Sequence, residues 1–314
     1  HDGSGTFTHA LFSRAGDLGF LGTTIREEYG GSDLGATAAG QAYDAISGSD
    51  PGFALSVLSH SILFAQNVQV NAGEALKRRI LPLAVSGEWI GGMCMTESEV
   101  GTDVLAMRTR ARRDGDAYVI DGTKMFITNG GIDENTTGDA FVVYATTGEG
   151  SISSFVVERG MDGFRLGQKC RDKLGMRASY TSELIFDSVR VPVANRLGDE
   201  GAGKLAMMRN LEIERLTLAA MSVGIAKRCI EVMIAYANER KTFGVPIREH
   251  GQIQRYIAES FAEYRAARAV VYETASHIKQ KLTSVRLREG CSPGLAWSAC
   301  SGLLAALARA LWFY

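Results

Sequence analysis

The stretch Leu211-Glu212-Ile213-Glu214-Arg215-Leu216 opens a helical pattern that continues to about Asn238. The apolar residues of this pattern recur at steps of roughly three to five, as a buried helix face requires: Leu211, Leu216, Leu218, Met221, Ile225, Cys229, Val232 and Ala235. The stretch therefore predicts a long helix with one buried face.

Two glutamates of this stretch differ in what they can do. Glu212 and Glu214 are two residues apart, roughly 200° around a helix, so they cannot both face the same side. A carboxylate held in an apolar environment has a raised pKa, and it can then accept a proton near neutral pH. In the alternative interpretation both glutamates lie on the surface and pair with Lys204, Arg209 or Arg215.

Outside this helix the periodicity divides the chain into three parts. Residues 1–90 show helical steps between turn residues, residues 91–197 show short β-type runs, and residues 198–314 return to helical spacing. Asp50 before Pro51 is a helix-start signal within the first part. We predict an α+β chain with an N-terminal helical domain, a middle β-sandwich or barrel, and a C-terminal helical domain that is atypical after about residue 282.

The middle part alternates short apolar runs with turn residues. The runs are 118–120, 124–128, 141–144, 153–157 and 184–186. The turns between them are Asp114-Gly115, Asp121-Gly122, Asn129-Gly130-Gly131 and Asp162-Gly163. Because Asp-Gly allows the positive φ that a tight hairpin needs, each such dipeptide predicts a connection between antiparallel strands.

The composition argues against several classes of function. The 314 residues carry a net charge of −1, with 46% hydrophobic and 22% charged residues, so no strong field points to nucleic acid or to an anionic membrane. No run approaches the roughly 18 consecutive apolar residues of a membrane span. The five cysteines are widely spaced without a C-x-x-C pair, and the five histidines are scattered. We therefore expect a reducing compartment and no metal site.

Three further motifs carry residues suited to a ligand. Residues 93–103 lead from an apolar stretch into a turn rich in Thr hydroxyls and backbone N–H groups, which suits the acceptor edge of a flavin or a phosphate. Residues 124–130 set the aromatic ring of Phe126 beside the hydroxyl of Thr128. Residues 240–244 place an arginine, which can bind a pyrophosphate bidentately, at a helix end with a glycine as the stop. The structural alternatives are a polar connection, a core Phe of a strand and a solvated cation at a helix C-terminus.

Taken together and in this order, these motifs resemble the acyl-CoA dehydrogenase family. The matching segments are Glu27-Glu28-Tyr29-Gly30-Gly31, Met95-Thr96-Glu97 with Gly101-Thr102-Asp103, Phe126-Ile127-Thr128-Asn129-Gly130, Lys173-Leu174-Gly175-Met176-Arg177 and Arg240-Lys241-Thr242-Phe243-Gly244. The match runs from about Leu11 to Gln280. The resemblance implies a helical domain, a β domain and a four-helix bundle, in agreement with the changes of period.

The resemblance also implies FAD as cofactor and an acyl-CoA thioester as substrate. In this family a glutamate removes the α-proton while a hydride passes to the flavin. In the isovaleryl-CoA branch of the family that glutamate lies in Leu-x-x-Glu-Arg-Leu, which is matched here by Leu211 to Leu216, so Glu214 is implied as the base. Small residues nearby, Ala219 and Ala220, would fit a short branched acyl group. The implied product is the 2,3-enoyl-CoA, with electrons passed to an electron-transfer flavoprotein.

Further site residues are implied by their match to the family motifs. Those expected to contact FAD are Met95, Thr96, Gly101, Thr102, Phe126 and Thr128, with Arg240, Phe243 and Gln252 reaching the FAD of a neighbouring subunit. Those expected to bind the substrate are Thr102, Ser179, Tyr180, Glu212 and Arg215. The resemblance further implies a homotetramer, located in the mitochondrial matrix of a eukaryote or the cytoplasm of a bacterium.

The chain departs from the family pattern at several positions. Val100 replaces a small residue, Tyr180 replaces an Asn and Leu205 replaces a Tyr, and Gln252 lies one place beyond the expected position. Residues from about Leu282 do not resemble the last helices of the family. These departures leave two alternatives open. One is another substrate or acceptor: straight short-chain or glutaryl-type acyl-CoA, or oxidase chemistry with O2. The other is a catalytically inactive, truncated family member.

Overall fold

The computed structural model describes residues 9–278, which fall into two compact units. Unit 1 comprises the chain up to Gly35 together with Leu55–Leu211, and unit 2 comprises Ala36–Ala54 together with the residues from Glu212 onward. A segment near the N-terminus is therefore grouped with helices from the other end of the described chain. The predicted change of character after about residue 282 lies outside the described residues.

The helices follow the predicted order. They are α1 (His9–Asp17), α2 (Gly35–Ser47), α3 (Pro51–Leu58), α4 (Gln66–Asn71), α5 (Glu74–Ser86), α6 (Gly203–Glu239) and α7 (Gly251–His277). A π-helical segment, Ser59–Ala65, joins α3 to α4, and 3₁₀ turns lie at Glu27–Tyr29, Val104–Ala106, Val193–Asn195 and Ile247–Glu249. The long helix predicted from Leu211 to Asn238 is confirmed as part of α6.

The start of α3 is also as predicted. Phe53 N donates to Asp50 Oδ1 at 2.9 Å, so the aspartate side chain satisfies one of the free donors of the first turn. Pro51 stands at the first helical position, where a missing N–H removes no helical hydrogen bond.

The strands of unit 1 form one sheet. They are β1 (Gly91–Cys94), β2 (Arg110–Asp114), β3 (Ala117–Thr128), β4 (Ala140–Gly148), β5 (Ser151–Glu158), β6 (Phe164–Lys169), β7 (Thr181–Pro192) and β8 (Arg196–Leu197). Their order is β6-β7-β3-β2-β4-β5-β8, with β1 pairing in parallel with β4. A second, two-stranded hairpin in unit 2 consists of β9 (Lys241–Thr242) and β10 (Val245–Pro246).

The large sheet is curved around its own core. Phe141 and Val143 of β4 share a hydrophobic cluster with Leu184 of β7, although β4 and β7 are not neighbours in the strand order. The sheet must therefore bend until distant strands face each other, which confirms the predicted sandwich or barrel. Alternate residues of β4, Val142 and Tyr144, point to the other face and pack with the helical residues of unit 1.

One predicted turn is wrong. β3 runs unbroken from Ala117 to Thr128, so Asp121-Gly122 is not a hairpin connection. The pairing of β3 with β7 shifts register between Ile120 and Gly122, and Gly122 has φ +147°. A Cβ at Gly122 would lie 2.6 Å from Thr109 Oγ1. Gly122 therefore lies in a β-bulge where the backbone approaches Thr109 closely. The other two dipeptides, Asp114-Gly115 and Asp162-Gly163, do lie between consecutive strands.

In unit 2, α2 packs against α6 and α7. Ser47 Oγ donates to Met221 O at 2.7 Å, and the Tyr272 hydroxyl donates to Asp44 Oδ2 at 2.7 Å. A Cβ at Gly224 would lie 2.0 Å from Asp44 O. The close approach of these helices therefore depends on the missing side chain at Gly224.

The segment Pro51–Asn71 is long and apolar enough to cross a membrane by length and composition, with a mean hydropathy of 1.2. In this structure 78% of that window is buried inside the protein, as is usual for a core helix. Both ring nitrogens of His60 have partners: His60 Nε2 lies 2.8 Å from Ala84 O, and Gly91 N donates to His60 Nδ1 at 3.0 Å. Burial lowers the pKa of His60 to about 4, so the ring is neutral at physiological pH.

Candidate active site

Glu214 lies on α6 beside a buried apolar face. Ile213, Leu216 and Ala220 are buried, and Glu214 itself is half-buried. Burial raises the pKa of Glu214 from 4.5 to about 7, and the charge of Arg215 opposes this shift only in part. Because both protonation states are populated near neutral pH, this carboxylate can take a proton from a bound ligand and release it again.

The other charged residues of this turn have different surroundings. Glu212 is half-buried, and Arg215 is exposed. A dominant surface ion pair would lower the pKa of Glu214, whereas burial raises it. The alternative in which both glutamates are surface groups paired with cations is therefore not supported for Glu214.

In unit 1, four predicted residues form a surface that we name the β1–β3 wall: Met95, Thr96, Phe126 and Thr128. Met95 and Thr96 directly follow β1, whereas Phe126 and Thr128 are among the last three residues of β3. Met125 N donates to Thr96 O at 2.9 Å, so a backbone hydrogen bond holds the two segments side by side. The structure thus brings these four residues together.

A bulge in β3 exposes Phe126. The pairing with β7 shifts register between Lys124 and Ile127, and Phe126 has φ +62° with 59% of its surface exposed. A left-handed backbone is unfavourable for an aromatic residue. Such strain persists where the surrounding structure enforces it, and it often marks a binding site.

Gly101 and Thr102 follow a tight turn after the Met95–Glu97 segment. Glu97 N donates to Val100 O at 3.0 Å, and Val100 N donates to Glu97 O at 3.2 Å. Gly101 and Thr102 are exposed, and a Cβ at Gly101 would meet no atom within 4 Å. Val100, the branched residue that departs from the family pattern, is 9% exposed, so its side chain is packed inside.

Ser179 and Tyr180 are buried beside the end of β3. Asn129 N donates to Tyr180 O at 2.8 Å, which ties Tyr180 to the residue after Thr128. The hydroxyls of Ser179 and Tyr180 are buried and find no partner among residues 9–278. Burial raises the pKa of Tyr180 to about 12, so its hydroxyl keeps its proton. Both hydroxyls are therefore donors without a described acceptor.

Arg240, Phe243 and Gln252 lie in the part of the chain that follows the C-terminal end of α6. Arg240 follows the last residue of α6, some 25 residues beyond Glu214, a distance of about 40 Å at the rise of an α-helix. Phe243 is 97% exposed with φ +51°, and Gly244 follows with φ +82°. Gly244 therefore lies in the turn of the β9–β10 hairpin. The sequence had suggested that Gly244 ends α6 directly, and that prediction is wrong. Gln252 is exposed in the first turn of α7.

Three buried polar residues next to the wall, to which the sequence assigned no role, are Glu97, Lys124 and Asn129. Asn129 Nδ2 donates to Ser56 O at 2.9 Å and to Gly91 O at 3.0 Å, and its own φ is +62°. The available signal was a charged residue, Lys124, inside an otherwise apolar β-run.

Two cavities in unit 2 have no predicted site residue in their lining. One of about 240 Å³ is apolar and lies between α6 and α7, lined by residues such as Tyr236, Ile247 and Tyr256. The other, of about 680 Å³, is polar and includes Asp44 and Arg268. Within the described part of the chain, no group of three or more His, Cys, Asp or Glu side chains is arranged to hold a metal ion.

Comparison with protein families gives three matches in sequence. Residues 1–88 match the acyl-CoA dehydrogenase N-terminal domain, residues 92–189 the middle domain and residues 201–291 the C-terminal domain. The mitochondrial isovaleryl-CoA dehydrogenase of Oryza sativa subsp. japonica is 39% identical over 269 residues, which is 84% of this chain. The chain spans 64% of the length of that relative.

Two solved structures share the fold. A chain in the structure of the electron transferring flavoprotein of Acidaminococcus fermentans superposes with a TM-score of 0.89 at 32% identity, over 97% of this chain and 78% of that one. The glutaryl-CoA dehydrogenase of Mycobacterium smegmatis in complex with FADH2 superposes with a TM-score of 0.89 at 30% identity, over 98% of this chain and 76% of that one.

Proposed function

The chain belongs to the acyl-CoA dehydrogenase family, and on that premise we propose that it catalyses FAD-dependent α,β-dehydrogenation of a short branched-chain acyl-CoA. Isovaleryl-CoA is the proposed substrate and the 2,3-enoyl-CoA the proposed product. The observation that carries the proposal is Glu214, because its pKa of about 7 suits a general base. Its segment is also the one that holds the base in the isovaleryl-CoA branch.

The residues of the β1–β3 wall fit FAD. The exposed ring of Phe126 offers an aromatic surface, and buried oxygens at the end of β3, such as Asn129 Oδ1, find no partner among residues 9–278. Those proposed to hold FAD are Met95, Thr96, Gly101, Thr102, Phe126 and Thr128, with Arg240, Phe243 and Gln252 contributed by a neighbouring subunit. When bound, FAD supplies a hydride acceptor.

The protein's part in the reaction is to bind the thioester and move a proton. Glu214 accepts the α-proton of the acyl group, and the same burial that raises its pKa then favours the protonated form. Ser179 and Tyr180 are proposed to contact the substrate, because their buried hydroxyls find no partner among residues 9–278. Thr102, Glu212 and Arg215 are proposed to complete the substrate contacts.

Two observations bear on the acyl group. The 39% identity to a relative named for isovaleryl-CoA supports the branched substrate. Ala219 and Ala220, expected to fit the acyl group, are 0% exposed, so they add no support. A glutaryl-type acyl-CoA is the second candidate, because the M. smegmatis glutaryl-CoA dehydrogenase superposes over 98% of the chain.

A catalytically inactive member of the family is the remaining alternative. In that case the chain would hold FAD poorly, and flavin loading by itself separates it from the enzyme hypothesis.

An anaerobic titration tests these proposals. We expect isovaleryl-CoA to bleach the bound flavin at lower concentration than butyryl-CoA or glutaryl-CoA. Glu214→Gln should keep the flavin and bind acyl-CoA but stop the bleaching. A purified chain that takes up no flavin from added FAD would favour the inactive alternative, and unchanged bleaching by Glu214→Gln would show that another group is the base.

The partners and location are proposed on the same footing. An electron-transfer flavoprotein is the proposed acceptor, supported by the likeness to a chain in the A. fermentans structure. A homotetramer is proposed because the ring of Phe243 is 97% exposed and is therefore available to the FAD of a neighbouring subunit. The mitochondrial matrix is proposed for a eukaryotic source and the cytoplasm for a bacterial one.

A further inference from the structure

Lys124 and Glu97 form a buried ion pair behind the β1–β3 wall. The side chain of Lys124 is 0% exposed and that of Glu97 is 8% exposed, with Lys124 Nζ 2.9 Å from Glu97 Oε1. Lys124 Nζ also donates to Met95 O at 3.0 Å. A buried ammonium group with these two acceptors is largely satisfied, as a charge in the interior has to be.

Glu97 anchors the pair to a third segment of the chain. Its Oε1 accepts from Thr109 N at 2.9 Å and from Thr109 Oγ1 at 2.7 Å, and its Oε2 accepts from Arg108 N at 2.7 Å. Burial works to raise the pKa of Glu97, but these bonds and the charge of Lys124 outweigh it and leave the pKa below the usual value. The carboxylate therefore stays ionised and keeps Lys124 in place.

The pair holds a stretch of backbone that lies outside the sheet. β1 ends at Cys94, so Met95 and Thr96 have no strand partner in its ladder with β4. Two consecutive residues of β3 hold their carbonyls instead: Lys124 Nζ binds Met95 O, and Met125 N binds Thr96 O. Lys124 is also the last residue paired before the bulge that exposes Phe126.

We propose that Lys124 and Glu97 are positioning residues for FAD: they fix the Met95 carbonyl, and through it the spacing of the two segments of the β1–β3 wall. This inference rests on the proposed function, since it assumes that the wall binds the flavin. Stability alone does not require an ion pair here, because well-packed neutral side chains often stabilise a buried position equally well.

Variants at the two positions separate positioning from stability. Lys124→Met leaves Glu97 charged and Met95 O without its donor, so both stability and FAD affinity should fall. In the double variant Glu97→Gln/Lys124→Met no charge is left unpaired, so stability should rise above that of Lys124→Met. The recovery should be partial, because glutamine has one acceptor oxygen and cannot accept from both Arg108 N and Thr109 N. Met95 O still lacks its donor there, so FAD should bind roughly tenfold more weakly than to the wild type. The absorption band of the bound flavin should change shape in the double variant as well.

A matched pair in the same unit is the control. Arg79 and Glu158 form a two-bonded ion pair with both distances 2.7 Å, between α5 and β5 and away from the wall. Arg79→Met/Glu158→Gln should leave FAD affinity and band shape unchanged. Affinity is measured by titrating the apoprotein with FAD and following flavin fluorescence, and stability by urea unfolding of the same samples.

The outcomes are distinct. A wild-type chain that binds no FAD would overturn the proposed function, and the positioning role with it. If the wild type binds FAD and the double variant at positions 97 and 124 binds it equally well, the positioning role is wrong while the proposed function stands. The positioning role is also wrong if the variant of the control pair weakens FAD binding as much.

Discussion

Replacing Glu214 with glutamine should stabilise the flavin-free protein, and the gain should grow with pH. Burial raises the pKa of Glu214 from 4.5 to about 7, so folding favours its neutral form. A group of this kind stabilises the folded state fully below the unfolded pKa, and that contribution is lost as pH rises through the folded pKa. Glutamine resembles the neutral form at every pH and escapes the loss.

The size of the effect follows from the two pKa values. At about pH 5 the unfolded chain gains only about 1 kcal/mol from ionising Glu214, because that pH is close to the unfolded pKa. At about pH 8 the difference between the folded and unfolded states reaches about 3 kcal/mol. The free energy of unfolding of Glu214→Gln should therefore exceed that of the wild type by about 1 kcal/mol at about pH 5 and by about 3 kcal/mol at about pH 8.

Urea unfolding of the apoprotein at both pH values measures these gains. Glu212→Gln removes a carboxylate from the same helix and controls for the change in net charge. An equal gain for Glu214→Gln at both pH values would refute the reasoning, because it would mean that Glu214 is not desolvated in the folded chain. A loss of stability at about pH 8 would refute it more directly, since glutamine would then be the costlier side chain.

Three further predictions concern catalysis and backbone geometry. If Glu214 with its pKa of about 7 is the base, the rate of flavin bleaching by isovaleryl-CoA should rise about tenfold between about pH 6 and about pH 8. Stopped-flow absorbance measures this rate, and a rate that does not change with pH would mean that another group accepts the proton. Phe243→Gly should raise the free energy of unfolding by roughly 1 kcal/mol, because glycine tolerates φ +51°, and it should also weaken FAD binding. Thermal unfolding measures the first effect and FAD titration the second. Unchanged FAD affinity would exclude Phe243 from the site. Gly224→Ala should lower the free energy of unfolding by roughly 3 kcal/mol, since the new Cβ would lie 2.0 Å from Asp44 O. Gly251→Ala, whose Cβ would meet no atom within 4 Å, is the control in urea unfolding. Equal stability of the two variants would contradict the predicted clash.

The order of helices and strands was predictable because it depends on local patterns. The apolar spacing after Leu211 needs only the chain itself to indicate a helix, and α6 extends over it. The aspartate before Pro51 likewise acts within one turn, through its bond to Phe53 N. The motifs of the wall were found because they are contiguous, and the structure adds that Thr96 and Met125 hold them together.

What could not be predicted depends on distant contacts. Gly122 looks like a turn glycine until Thr109 is placed beside it. Lys124 looks like a solvated strand residue until Glu97, 27 positions earlier, is found within 2.9 Å. The left-handed backbone of Phe126 has no signal in its own residue type, since glycine and asparagine are the usual occupants. The assignment of roles at the site, and the three domain boundaries, stay predictions.

The make-up of unit 2 has a consequence for synthesis on the ribosome. Asp44 and Tyr272 are 228 residues apart in sequence, and Ser47 and Met221 are 174 apart. At translation rates of about 5–20 residues per second, α2 emerges on the order of ten to forty seconds before its partners. Unit 1 can mature during that wait, whereas the apolar side of α2 stays uncovered. We expect nascent chains halted before α6 to be the form of this protein that chaperones retain longest.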